Sequence, residues 1–150
     1  MIAGVDSPVG RLALTEEDGA ITALDWRDVD APPDTDLMKQ AARELVAYFA
    51  GTRTDFTLPL APRGSSFQQQ FYRTLCAIPY GETRTYGALA AELGVSAQAI
   101  GQACGANPIP ILIPCHRVLA ATGLGGFSGA GGVETKVALL RLEGAASLLI

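Results

Sequence analysis

Cys115 stands directly before His116, the only histidine among 150 residues, so a thiol nucleophile and an imidazole base are chain neighbours. Pro114-Cys115-His116-Arg117-Val118 follows an apolar run, Ile109-Pro110-Ile111-Leu112-Ile113, and precedes a glycine-rich stretch. That setting predicts a strand ending at a turn that holds the thiol near the surface. His116 and Arg117 would both favour the thiolate. Consecutive side chains on extended backbone point to opposite faces, so a Cys115–His116 pair needs a bent backbone or a bridging water. Cys76 and Cys104 fall on helical patterns among apolar neighbours, without an ionisable partner, and read as core filler. The three cysteines form no C-x-x-C or Cys/His metal spacing, so neither a disulfide framework nor a metal site is expected. No cofactor is implied.

The elements that must position these groups follow from periodicity and turn chemistry. The chain reads as α+β in two lobes. Residues 1–57 form an N-terminal lobe, with strands Ile2–Val5, Gly10–Thr15 and Ala20–Trp26 joined by turns that include Asp18-Gly19. A helix carries Leu37, Ala41, Leu45, Tyr48 and Phe49 up to Gly51 as C-cap. Thr52 to Gly64, with Pro59 and Pro62, reads as an extended link. Residues 65–150 form a mainly helical lobe. A helix opens with Ser66 and Gln69 as a capping box and stops at Pro79-Tyr80-Gly81. Two short helices follow, from Thr85 or Tyr86 to Leu93 and from a Ser96 cap to about Cys104, joined at Gly94-Val95. Such a pair is the pattern of a helix-turn-helix, whose second helix enters a DNA groove. Val133, Val137 and Leu140 mark a closing helix.

The net charge of −4 is unhelpful for a phosphate-binding protein until it is divided. Residues 1–57 hold eleven acids and five bases, and residues 58–150 hold four acids and six bases. Only the second lobe can lie on DNA. The first residues, Met1-Ile2-Ala3-Gly4-Val5-Asp6, lack a basic segment followed by an apolar run, and no stretch approaches the ~20 apolar residues of a membrane span. A cytoplasmic monomer without membrane contact is the expectation.

Asn107-Pro108-Ile109-Pro110-Ile111-Leu112-Ile113-Pro114-Cys115-His116-Arg117-Val118 resembles the active-site signature of the 6-O-alkylguanine-DNA alkyltransferases. Ile78-Pro79-Tyr80-Gly81-Glu82-Thr83-Arg84-Thr85-Tyr86-Gly87 is similar to the same family's lead-in to its DNA-binding helices, and Leu139-Leu140-Arg141-Leu142-Glu143-Gly144 to its last helix. The resemblance implies direct repair of duplex DNA: an alkylated guanine is flipped out, and its alkyl group passes irreversibly to Cys115, once per molecule. It implies that His116 acts on Cys115 through a water and is oriented by Glu143. It also implies that Tyr86 rotates the target phosphate and lends its hydroxyl to the guanine. Read alone, Glu143 would be a solvated helix-end acid, His116 a core or surface histidine, and Tyr86 an aromatic packed on the core.

Residues implied to face the DNA or the flipped base are Tyr86, Gln98, Asn107, Arg117, Val118 and Ser128. Asn107 would brace the DNA-binding helix against the active-site strand. The carbonyls of Cys115 and Val118 would accept from the exocyclic amine, and an amide at Ser128 or Ala130 would meet the guanine oxygen. Gly123 to Gly132 departs from G-x-G-x-x-G at Ser128 and lacks a phosphate-loop lysine, so it reads as a wall over the site. Gln98 occupies the place where the family usually wedges an arginine into the base stack. That departure keeps open a lesion sensor that binds without accepting the alkyl group. A cysteine hydrolase built on Cys115, His116 and Glu143 is the other alternative.

Overall fold

The computed structural model describes residues 1–127, 129 and 131–145, and the chain divides into two compact units, Met1–Arg63 and a second beginning at Gly64. The fold is α+β. In the first unit β1 (Ile2–Val5), β2 (Leu12–Glu17) and β3 (Ala20–Asp25) form an antiparallel sheet in that order. Asp18 and Gly19 both take positive φ, 51° and 76°, which gives the hairpin a turn matching the strands' twist. Helix α1 (Asp36–Phe49) starts where the Thr35 hydroxyl accepts from the Met38 N–H and buries Met38, Ala41, Leu45 and Tyr48 on one face. Gly51, at φ 78°, follows its C-cap.

The expected link from Thr52 to Gly64 is instead largely tied into this unit. Thr57 donates its N–H and its hydroxyl to the buried Glu44 carboxylate at 2.8 and 2.7 Å. Ile21 of β3 donates to Pro59 O and accepts from Ala61 N–H. Prolines excluded the segment from a central strand but allow it to run along a sheet edge.

The second unit is mainly helical. Helix α2 (Ser66–Cys76) begins one residue earlier than expected: the capping box is Ser65 with Gln68, each bonded to the other's backbone N–H. Helix α3 (Tyr86–Leu93) is capped by Thr85 and closed by Gly94 in the left-handed region, φ 69°. Helix α4 (Ala97–Gly105) is capped by Ser96, as its sequence dictates. Helix α5 (Val133–Leu142) ends on Glu143. No helix among the described residues is long and apolar enough to cross a membrane.

Two features of this unit escape local patterning. The apolar run Ile109–Ile113 is a tight loop, not the expected strand: Ile113 N–H bonds Ile109 O at 2.8 Å, and Ile111 sits at φ 73°. Pro110 and Pro114 have no N–H to feed a sheet, and burial of Ile109, Ile111 and Ile113 accompanies a conformation rare for a β-branched residue. Second, β4 (Arg84–Thr85) pairs parallel with β5 (Val118–Leu119), Arg84 opposite Val118. This two-residue ladder ties the start of α3 to the segment carrying Cys115.

Candidate active site

Cys115, His116 and Arg117 form a 3-10 turn entered from Pro114, which supplies the bent backbone that a sequential Cys–His arrangement requires. Cys115 is 4 % exposed and His116 fully buried. A cavity of about 360 Å³ opens beside the thiol. Its walls are Tyr86 from α3, Gly101, Cys104 and Gly105 from α4, and Gly126-Phe127 from the loop before α5. Gly125, at φ 70°, lies so close to Tyr86 that an added Cβ would stand 2.7 Å from the ring, so the loop backbone defines where that ring can be.

His116 Nε2 lies 2.7 Å from Glu143 Oε2, while Nδ1 is buried and meets no hydrogen-bonding group of the described protein. Burial holds the imidazole below its ordinary pKa, against the opposing pull of Glu143, so the resting ring is neutral. Burial likewise pushes the Cys115 thiol up, against the Asn107 side chain and Lys136. The expected thiolate-promoting role of His116 and Arg117 is thus corrected: the thiol rests protonated, because desolvation exceeds what its neighbours return. Arg117 cannot compensate. Its Nε donates to Glu143 Oε1 at 2.8 Å, Nη2 to Oε2 at 3.0 Å and Nη1 to Ile78 O at 2.7 Å. At 7 % exposure, its guanidinium is directed inward and not toward DNA, contrary to expectation.

Asn107, immediately beyond α4, is also buried: Nδ2 donates to Ile113 O at 2.9 Å and Oδ1 accepts from Ile109 N–H at 3.0 Å. It clips both ends of the Ile109–Ile113 loop. Gln98 is exposed in the first turn of α4. Ser128 lies outside the described residues.

Two site residues were missed by sequence reasoning. Lys136 is fully buried; its Nζ donates to Val118 O at 2.6 Å and Gly126 O at 3.0 Å and lies 5.8 Å from the centre of the Tyr86 ring. It therefore binds the Cys115 segment to the cavity loop beside Tyr86. The available signal was a lysine on the buried stripe of α5, one turn before Leu139 and Leu140 and two turns before Glu143, where the helical repeat puts all of them on one face. Cys104 is the second. It is not remote filler but shares the cavity wall with Cys115, and its pKa is pushed up to about 12 by burial and by the neighbouring Cys115.

A buried cysteine lining a cavity, a neutral imidazole on the next residue and a carboxylate fixing that imidazole can deliver a nucleophile to one carbon while excluding bulk water. Comparison with known proteins points the same way. Residues 66–145 match the model for the DNA binding domain of 6-O-methylguanine DNA methyltransferase, and residues 3–62 match the model for its ribonuclease-like domain. The methylated-DNA–protein-cysteine methyltransferase of Mycobacterium tuberculosis is 42 % identical over 93 % of this chain and 89 % of its own. The crystal structure of that organism's O6-methylguanine methyltransferase superposes with a TM-score of 0.84 at 40 % identity, covering 97 % of this chain and 93 % of the other. Its OGT in complex with DNA gives the same TM-score at 42 % identity with the same coverage.

Proposed function

The chain belongs to the 6-O-methylguanine DNA methyltransferase family, and from that premise we propose that it is a methylated-DNA–protein-cysteine methyltransferase that repairs 6-O-alkylguanine in duplex DNA by moving the alkyl group to Cys115. The observation that carries this reading is the cavity lined by both Tyr86 and Cys115, with His116, the residue after Cys115, bonded to Glu143.

In the proposed reaction, the flipped guanine enters the cavity with its alkyl carbon against Cys115 Sγ. The thiol proton passes through a water to His116 Nδ1. Sγ attacks the alkyl carbon in line with the departing guanine O6, forming a C–S bond as the C–O bond breaks. Guanine recovers a proton from the Tyr86 hydroxyl, which burial keeps protonated well into the alkaline range. The carbonyls of Cys115 and Val118 accept from the exocyclic amine with the lone pairs not engaged by Val118 N–H and Lys136. The product is a thioether without an acyl carbon for water to attack, so each monomer acts once.

Mass spectrometry of the protein mixed with excess methylated duplex tests this. A single added methyl on Cys115, with repaired guanine levelling off at about one per protein molecule, is the expected result. Continued product release points to a turnover enzyme, and binding without a mass change points to a lesion sensor; either overturns the proposal.

DNA engagement is proposed to run through α3 and α4, with Gln98 at the front of α4 meeting the stack where the base has left. Gln98 brings a neutral amide in place of a weakly hydrated, flat cation. Gln98→Arg is therefore expected to tighten duplex binding by about 1 kcal/mol and steepen its loss with salt. Binding and single-turnover transfer at two salt concentrations check it; no change in either would remove Gln98 from the wedge position.

A further inference from the structure

The relay assigned to His116 works in only one tautomer. Its Nε2 faces Glu143 at 2.7 Å and its Nδ1 meets no hydrogen-bonding group among the described residues. Only if Nε2 carries the hydrogen and Nδ1 the lone pair can the ring accept a proton from Cys115. Ring burial does not choose between tautomers, and a neutral carboxyl group would choose the wrong one: its O–H would donate to Nε2 and leave the hydrogen on Nδ1. The tautomer therefore depends on what keeps Glu143 an acceptor.

Arg117 is built for that task. Its Nε and Nη2 take the two Glu143 oxygens separately, at 2.8 and 3.0 Å, in the side-on geometry that fits a guanidinium to a carboxylate. The remaining nitrogen, Nη1, is anchored on Ile78 O at 2.7 Å, and the guanidinium carbon stands 5.9 Å from the centre of the Tyr80 ring. Tyr80 in turn donates to Leu142 O, at the end of α5, at 3.1 Å. The guanidinium thus has its own fixed mounting, independent of His116. The charged and titratable groups acting on the imidazole are Glu143 and Lys136 from the α5 region and Arg117 from the 3-10 turn, and Cys115 adjoins it in that turn. Of the two cations, only Arg117 touches the carboxylate; Lys136 is bonded to Val118 O and Gly126 O.

We infer that Arg117 is a positioning residue of the transfer reaction: by clamping both oxygens of Glu143 as a carboxylate it imposes the Nε2–H tautomer on His116 and leaves Nδ1 as the base for Cys115. This inference rests on the alkyl-transfer reading above. Without the guanidinium, the buried carboxylate has two ways to lose its uncompensated charge. It can take a proton itself and donate to Nε2, or the imidazole can become a cation beside it. Both outcomes put a hydrogen on Nδ1, and both remove the base. A triad histidine held in the wrong tautomer loses roughly 10⁴ in rate in serine proteases; a loss of about 100-fold or more in methyl transfer is expected here.

Because His116 is the only histidine, nitrogen-15 NMR of the imidazole reads a single ring. Wild-type protein is expected to show protonated Nε2 and unprotonated Nδ1 at neutral pH, and Arg117→Met to show hydrogen on Nδ1 together with the slowed transfer. Arg117→Lys, which keeps the charge but loses the two-point clamp, is expected to recover part of the rate. Wild-type protein carrying its hydrogen on Nδ1 overturns the assignment. So does Arg117→Met that transfers at the wild-type rate, or that is slow with the tautomer unchanged, since the residue would then be structural only. If Arg117→Met does not fold, the wild-type spectrum and Arg117→Lys decide: a folded lysine variant with unaltered rate and tautomer overturns it. A wild-type protein that gains no methyl on Cys115 defeats the alkyl-transfer reading instead, whatever its tautomer.

Discussion

Cys115→Ala is expected to bind methylated duplex and remove no methyl group, while Cys76→Ala and Cys104→Ala still transfer it. The comparison with Cys104 is the demanding part, since both thiols line the same cavity. Two properties separate them. Cys104 belongs to the last turn of α4, and its pKa near 12 leaves about one molecule in 10⁵ ionised at neutral pH. The Cys115 thiol is also held protonated at rest, but it adjoins His116, whose neutral ring can take the proton during attack. Raised pKa values of both thiols argue against a standing thiolate in either, so the base proposed beside Cys115 is what separates the two. Counting methyl groups remaining in the duplex, with the protein mass measured in parallel, checks the result. Methyl loss with Cys115→Ala would move the acceptor elsewhere, with Cys104 the first place to look.

Glu143→Ala is expected to damage stability and chemistry together. The carboxylate is the sole acidic partner of Arg117 among the described residues and the group bonded to His116 Nε2. Its removal leaves a guanidinium buried without its counter-charge. Breaking a buried pair from one side destabilises by about 3–5 kcal/mol, a large share of the 5–15 kcal/mol that ordinarily separates folded from unfolded domains. By contrast, the exposed Arg27–Asp25 and Arg84–Glu82 pairs are worth about 0–1 kcal/mol each. The midpoint of denaturant unfolding should fall far more for Glu143→Ala than for Glu82→Ala, and transfer should slow at temperatures where the variant remains folded. Equal small shifts for both variants would show that the Arg117–Glu143 pair adds nothing net.

The sequence by itself determined those features in which a few neighbouring residues set the local energy. The Asp18-Gly19 hairpin, the Ser96 cap, Gly51 beyond α1 and the order of the helices could all be read there, because turn and cap preferences act over three or four residues. The Cys115-His116 pair was legible for the same reason, as was the family, through a continuous motif. Even the capping-box shift from Ser66 to Ser65 is only a choice between adjacent serines. Tertiary structure decided the rest, where the energy depends on groups far apart in the chain. Ile109 to Ile113 has a strand's composition, but its burial around Asn107 and its flanking prolines close it into a loop. Arg117 reads as a cation beside the thiol and facing the DNA until α5 brings Glu143 to it across 26 residues. The role of Lys136 was decided by folding, where two carbonyls from Val118 and Gly126 receive its ammonium. Cys104 reads as filler until the cavity places it beside Cys115. Charge and thiol chemistry depend on what replaces the lost water, and for these buried groups the replacement comes from folding, not from chain neighbours.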